Sequence, residues 1–230
     1  MKKVLTLLLA ISMILTLSAC GGKKEEEAFE LSKSAFYNIN DAYERLDAIG
    51  NDIITAWNLG IYERNSLLGW TTGFPFFCDN LTVSKDSALD GLAAAYSYAV
   101  EQKYELDLEY YKESVRKYSD LYWDETLRAY GLDNTFSACI FVVVESYRQN
   151  GELDEIGALL SSASETIKEL SENHSDYEHY DAIKKYFATT NTYYNYCCNP
   201  SGTLEEAQSN MNKYNNDASE AYNSLYYFFE

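Results

Sequence analysis

Apart from its acids, this sequence holds few side chains able to carry chemistry: five cysteines and two histidines in 230 residues. A cysteine is a nucleophile only as its thiolate, and a cysteine or serine nucleophile needs a positioned base. Cys139 lies in the apolar run 136–144 and reads as a packed core thiol. Cys78 and the adjacent Cys197 and Cys198 fall near expected helix ends, where one disulfide among them and free buried thiols are both open. His174 and His179 stand among Asp176, Glu178 and Asp181. On a helix His174 would share a face with Glu178, and Asp176 with His179, so a metal site can be drawn. The two pairs do not converge, however, and acidic residues opening a helix explain them, so no metal is expected. Neither an HExxH motif, an EF-hand loop nor a phosphate-cradling glycine loop occurs. No carboxylate pair stands out among 36 acids, and the expectation is a non-enzymatic protein without a cofactor.

Cys20 is a different case. Lys2 and Lys3 precede an uncharged apolar run over 4–17, followed by small residues, which is the order of a secretory signal peptide. The run is too short to read as a spanning helix. Leu17-Ser18-Ala19-Cys20 resembles the lipobox of bacterial lipoproteins. That resemblance implies cleavage between Ala19 and Cys20 and a diacylglyceryl group on the Cys20 thiol. Two acyl chains on one residue give stable anchoring. The expected organisation is a cleaved leader over 1–19, a lipidated tether over 20–27 and one helical domain over 28–230, held on the extracytoplasmic face of the cell membrane.

Without the leader, 211 residues remain with 16 basic and 36 acidic side chains, a formal charge of −20. Such a field repels phosphate backbones, so no nucleic-acid partner is expected. The acidity itself reads as a solubility device. A chain with 22 Tyr, 10 Phe and 3 Trp has ample apolar area for a core, and with two prolines it has few helix breakers.

The elements that must position any site are therefore helices. Phe29, Phe36, Tyr43, Gly50 and Trp57 repeat every seven residues, as do Ile39, Leu46, Ile53 and Gly60, predicting a helix over about 27–63, about 55 Å long. Gly50 and Gly60 imply a neighbour packed against the backbone, or a kink. The stretch 67–80 loses the period and reads as a loop, unusually aromatic for one. Ser84 caps the next helix, whose stripe of Leu89, Leu92, Tyr96, Ala99, Leu106 and Tyr110 changes phase at Tyr111, Val115, Tyr118 and Tyr122, placing a break between 108 and 125. Gly131 ends that element and Asp133 or Asn134 starts the next. The run 136–144 is apolar nearly all round; Ile140, Val143 and Tyr147 share a helical face, so it is read as the most buried helix rather than a strand. Asn150-Gly151 turns the chain into a helix with Leu153, Ile156, Leu159, Leu160, Ala163, Ile167 and Leu170. Two more seams follow: Tyr180, Ile183, Phe187, Thr190, Tyr194 and Cys197, then Leu204, Ala207, Met211, Tyr214, Ala218, Ala221, Leu225 and Phe228. Asn199-Pro200-Ser201-Gly202 separates them and Thr203-Leu204-Glu205-Glu206 reads as a capping box. The fold class is all-α: an elongated bundle of long antiparallel helices, the last two forming a hairpin.

The hairpin over 170–225, with its Asn199-Pro200-Ser201-Gly202-Thr203-Leu204 turn and Asn216-Asp217-Ala218-Ser219-Glu220, resembles a group of helical proteins of Gram-positive bacteria and their mobile elements. Trp57-Asn58-Leu59-Gly60-Ile61-Tyr62 is similar to a tryptophan-centred stretch on that group's first long helix. The chain departs from the group at Asn173-His174-Ser175, where the group carries prolines. The resemblance implies the helical hairpin and no activity.

The leading functional reading is a lipid-tethered bundle that binds a protein, peptide or envelope component. The alternatives are the solute-binding component of a transporter, usually an α/β protein with hinged lobes, and an enzyme acting on envelope sugars. Trp70, Phe74, Phe76 and Phe77 are the candidate partner contacts: the loop 69–77 either presents them as anchors or folds them over the bundle end as a plug. Replacing Cys20 with Ser is expected to move the protein from membrane to medium or to uncleaved precursor, read by fractionation and fatty-acid labelling; undiminished labelling would remove the lipid assignment.

Overall fold

The computed structural model describes the backbone of residues 2–69, 71–101 and 108–229, and the side chains of 23–69, 71–99 and 108–229. All regular structure among them is helical: α1 (Lys2–Tyr62), α2 (Arg64–Leu67), α3 (Gly73–Asp79), α4 (Lys85–Glu101), α5 (Leu108–Lys117), α6 (Ser119–Tyr130), α7 (Thr135–Gln149), α8 (Glu152–Asn173), α9 (Tyr180–Cys198) and α10 (Leu204–Phe229), with a 3-10 turn at Leu132–Asn134. The helix pattern read from the sequence is thus the fold class. The strand–helix alternation of hinged α/β lobes does not occur among the described residues. No single helix there is long and apolar enough to cross a membrane.

Helix α1 is the axis of the bundle, flanked by α7, α8, α9 and α10, while α4 packs on α7 and carries α5 and α6. Both predicted columns of α1 face the bundle, with Phe29 and Tyr43 half-buried and the rest buried, but a third runs beside them: Ala28, Ala35, Ala42, Ile49 and Ala56, all buried. Two columns suffice for one partner helix, whereas a helix surrounded by four must bury a wider face. Small residues in the third column let neighbours approach. Of the two readings of Gly60, the close neighbour is the one seen: a Cβ there would fall on the Phe136 backbone at the start of α7, and one at Gly50 on the Tyr193 hydroxyl.

The segment 20–27, expected as a tether, continues α1 as helical backbone, because Lys23, Lys24 and Glu25 to Glu27 are good helix formers with no cap or proline to stop it; their side chains are exposed. Three expectations need correcting. The stretch 67–80 contains helix α3. Pro75 lies in its first turn, where a missing N–H costs nothing. On α9 the fully buried rings are Tyr186 and Tyr193, one position from the expected Phe187 and Tyr194, because α9 meets α1 and α8 as well as α10. On α10, Phe229 is buried and Phe228 is exposed, and Leu204 is only half-buried.

Elsewhere the local signals operate as read. Ser84 Oγ accepts the Ser87 N–H at 3.1 Å, capping α4. The phase change falls at Tyr118, between α5 and α6, but Tyr110 and Tyr118 of the expected stripes are exposed; Leu106 lies outside the described residues. Gly131 takes φ 87° and Gly151 φ 86°, each ending a helix. Thr203 N–H donates to Glu206 Oε2 at 2.8 Å and Glu206 N–H to Thr203 Oγ at 3.2 Å, a reciprocal cap at the hairpin turn. Helix α7 buries ten of its 15 residues, which makes it the inner wall of the bundle.

Leu225→Ala is expected to cost about 2–4 kcal/mol as a cavity, which at about 2–4 °C per kcal/mol is a drop of several degrees in Tm. Phe228→Ala, at an exposed position, should leave Tm nearly unchanged; equal losses in thermal melts would contradict this helix register. Gly60→Ala is expected to cost about 1–3 kcal/mol, since Phe136 backbone must move.

Candidate functional site

Two buried acids mark the interior. Asp52 on α1 accepts the N–H groups of Thr82, at 2.8 and 3.1 Å, and of Val83, at 2.9 Å, and the Tyr147 hydroxyl at 2.8 Å. Thr82 Oγ1 lies 3.2 Å from the same hydroxyl. The carboxylate ties the strap before α4 to both α1 and α7. Burial, then the adjacent Asp52 charge, pushes the Tyr147 hydroxyl well above its usual range, so it remains a donor. All acceptor capacity is directed inward, which makes this a structural clamp.

Glu145 sits in the apolar face of α7 with its side chain 1% exposed. It pairs with Arg148 one turn on, and Gln149 Nε2 donates to it at 3.4 Å. Removing a buried carboxylate's partner is costly, so Arg148 is held here. The guanidinium also donates to the Cys198 carbonyl at 3.4 Å, joining α7 to the α9–α10 turn. Beside this pair opens a cleft of 960 Å³. Its apolar wall is Trp57, Tyr130, Phe136, Ile140, Phe141 and Val144; its polar edge is Glu145, Arg148, Gln149 and the turn 198–202. That size and this mixture of an apolar wall with a few polar groups are the properties of ligand pockets. Arg148 is 39% exposed and has N–H groups to spare beyond its two bonds. Sequence reasoning missed this site; its signal was an acid, Glu145, directly after the apolar run 136–144 on the same helix, with an arginine three residues later.

The aromatic candidates lie elsewhere. Phe74 and Phe77 are fully buried, their rings 5.5 and 4.8 Å from that of Trp123, whose Nε1 donates to the Leu67 carbonyl at 2.9 Å. They plug the core between α3 and α6 and are not surface anchors. Phe76 is half-buried against the same core. Trp70 is outside the described residues, as are the side chains of Ala19 and Cys20.

Cys78, Cys139, Cys197 and Cys198 are free thiols, so no disulfide joins Cys78 to Cys197 or Cys198. Burial raises all four, Cys78 to about 12, which suppresses the nucleophilic thiolate. The helical spacing that would pair His174 with Glu178 does not arise, because 174–179 is a turn. His174 is buried with Nε2 3.7 Å from Glu27, and His179 Nε2 lies 3.4 Å from Glu178. Among the described residues no three His, Cys, Asp or Glu side chains converge on a metal position.

Compared with models of protein families, with curated proteins and with solved structures, the chain matches none.

Asp52→Ala strands two buried donors, the Val83 N–H and the Tyr147 hydroxyl, and the part-buried Thr82 N–H, and is expected to cost about 3 kcal/mol, against about 1 kcal/mol for Tyr147→Phe. Urea unfolding of the two variants checks the order; equal costs would show that the backbone donors contribute nothing.

Proposed function

We propose that this protein is a lipid-anchored binding protein of the extracytoplasmic membrane face that holds an amphipathic peptide in the cleft between α7 and the α9–α10 turn. The observation that carries the binding reading is the cleft itself: an apolar wall ending at a guanidinium that is fixed by Glu145 and the Cys198 carbonyl yet open to solvent. A bulky apolar side chain fits against Phe136, Ile140 and Phe141. A peptide carboxylate or carbonyl then accepts from Arg148, and the Gln149 and Asn199 amides can satisfy adjoining peptide groups.

The anchor reading is carried by Lys2, Lys3, the apolar run and Leu17-Ser18-Ala19-Cys20. The two readings fit one geometry. Trp57, in the cleft wall, is 28 residues along α1 from Phe29, about 42 Å. Helix α1 therefore acts as a strut between an anchored pole and a binding pole.

The cleft is tested by titrating the purified protein with 1-anilinonaphthalene-8-sulfonate, an aromatic body bearing an anion. Saturable one-site fluorescence is expected, with Ser137→Trp weakening it at least about tenfold, a change of about 1.4 kcal/mol, while Tm is retained. Peptides selected from a random decapeptide library should displace the probe and be enriched in an apolar residue near a free carboxylate. Probe binding unaffected by Ser137→Trp would remove the cleft from consideration.

A further inference from the structure

The pole where α1 and α10 meet is built of aromatic rings. Phe229 is buried, its ring 5.7 Å from that of Phe29 and 5.2 Å from that of Phe36, and its carbonyl accepts the Tyr37 hydroxyl at 2.9 Å. Around this inner cluster stand rings that the bundle leaves outside: Tyr37, Tyr226, Tyr227 at 88% exposure and Phe228 at 51%. Phe228 is backed by the His179 ring at 3.9 Å, and Lys33 Nζ lies 5.8 and 5.9 Å from the Phe29 and Tyr37 rings.

We propose that this aromatic rim rests in the lipid headgroup layer and sets the protein upright on the membrane. The proposal deepens the lipid-anchor reading and rests on it. What covers the rim follows from chain length: Phe29 is the ninth residue after Cys20, about 14 Å away as helix and no more than about 30 Å fully extended. An acylated Cys20 thus holds this pole against the bilayer in either form. Tyrosine and phenylalanine have amphipathic or apolar rings suited to the interface, and Lys33 can meet a lipid phosphate. Charge attraction is not the cause, since Glu25, Glu26, Asp176 and Glu178 outweigh Lys24 in the polar hollow beside the rim and repel anionic headgroups on balance. The contact is therefore apolar and persists at high salt.

The test uses the full chain extracted from membranes and reconstituted in phosphatidylcholine–phosphatidylglycerol vesicles with brominated acyl chains. Two variants are compared with the wild type: Tyr227→Trp at the rim and Tyr62→Trp, at an exposed position on the opposite pole. Most of the emission added by Tyr227→Trp should be lost to bromine quenching, in low and high salt alike, and none of that added by Tyr62→Trp. Incorporation of a clickable fatty acid into the same preparation, absent in Cys20→Ser, reports the anchor separately. Labelled protein without quenching overturns the rim and leaves the anchor standing. A blue-shifted Tyr227→Trp emission that bromine does not quench means that protein, such as a second copy of this chain, covers the rim, and overturns it too. Absence of the label overturns the anchor and the rim with it.

Discussion

The broad buried face of α1 is the constraint on which the rest of the bundle depends. Four helices bury their apolar stripes against it, so its three inner columns must serve partners with different approach distances. Alanines in one column allow close packing, Phe36, Ile39, Leu46 and Ile53 fill the wider gaps, and Gly60 lets α7 begin directly against the helix. That last contact places Phe136 and Ile140 in the cleft wall. The cleft is thus a product of how tightly α7 is drawn to the axis at its first turn.

Two buried acids solve the same electrostatic problem in different ways. Asp52 is answered by neutral donors, two of them backbone groups, which costs no second desolvated ion and locks a strap in place. Glu145 is answered by a cation that reaches the surface. The first arrangement is closed and leaves nothing to offer a ligand. The second exports part of its polarity to the edge of an apolar hollow, which is why the proposed site lies there and not at Asp52.

Much of the fold was legible in the chain because helix caps and periodicity are local. The capping box at Thr203, the glycine stops at Gly131 and Gly151 and the helical reading of 136–144 each depend on residues within a few positions of one another. What was not legible depended on the number of neighbours. A heptad written as two columns cannot reveal that α1 has four partners, nor can it show that α9 is rotated by one residue so that Tyr186 and Tyr193 turn inward. The aromatic stretch 69–77 misled for a related reason: Gly73 and Pro75 signal a break, but Trp123, some fifty residues away, provides the surface on which α3 folds. The cleft joins α1, α6, α7 and the turn at 198–202, and no local pattern announces a site assembled from four distant pieces.

The order of helices around α1 has a consequence for how the chain comes to be folded at all. Its partners α7 to α10 all follow residue 134, and the Tyr37–Phe229 contact closes a gap of 192 residues. During vectorial synthesis the first helix emerges with its apolar face bare, and nothing made in the next seventy residues covers it fully. Late closure of this kind favours slow assembly and exposes sticky surface in the interval. A chain built this way depends on being kept from aggregation until its last helix is complete. Loss of even the final few residues would open the pole that forms first in sequence and last in time.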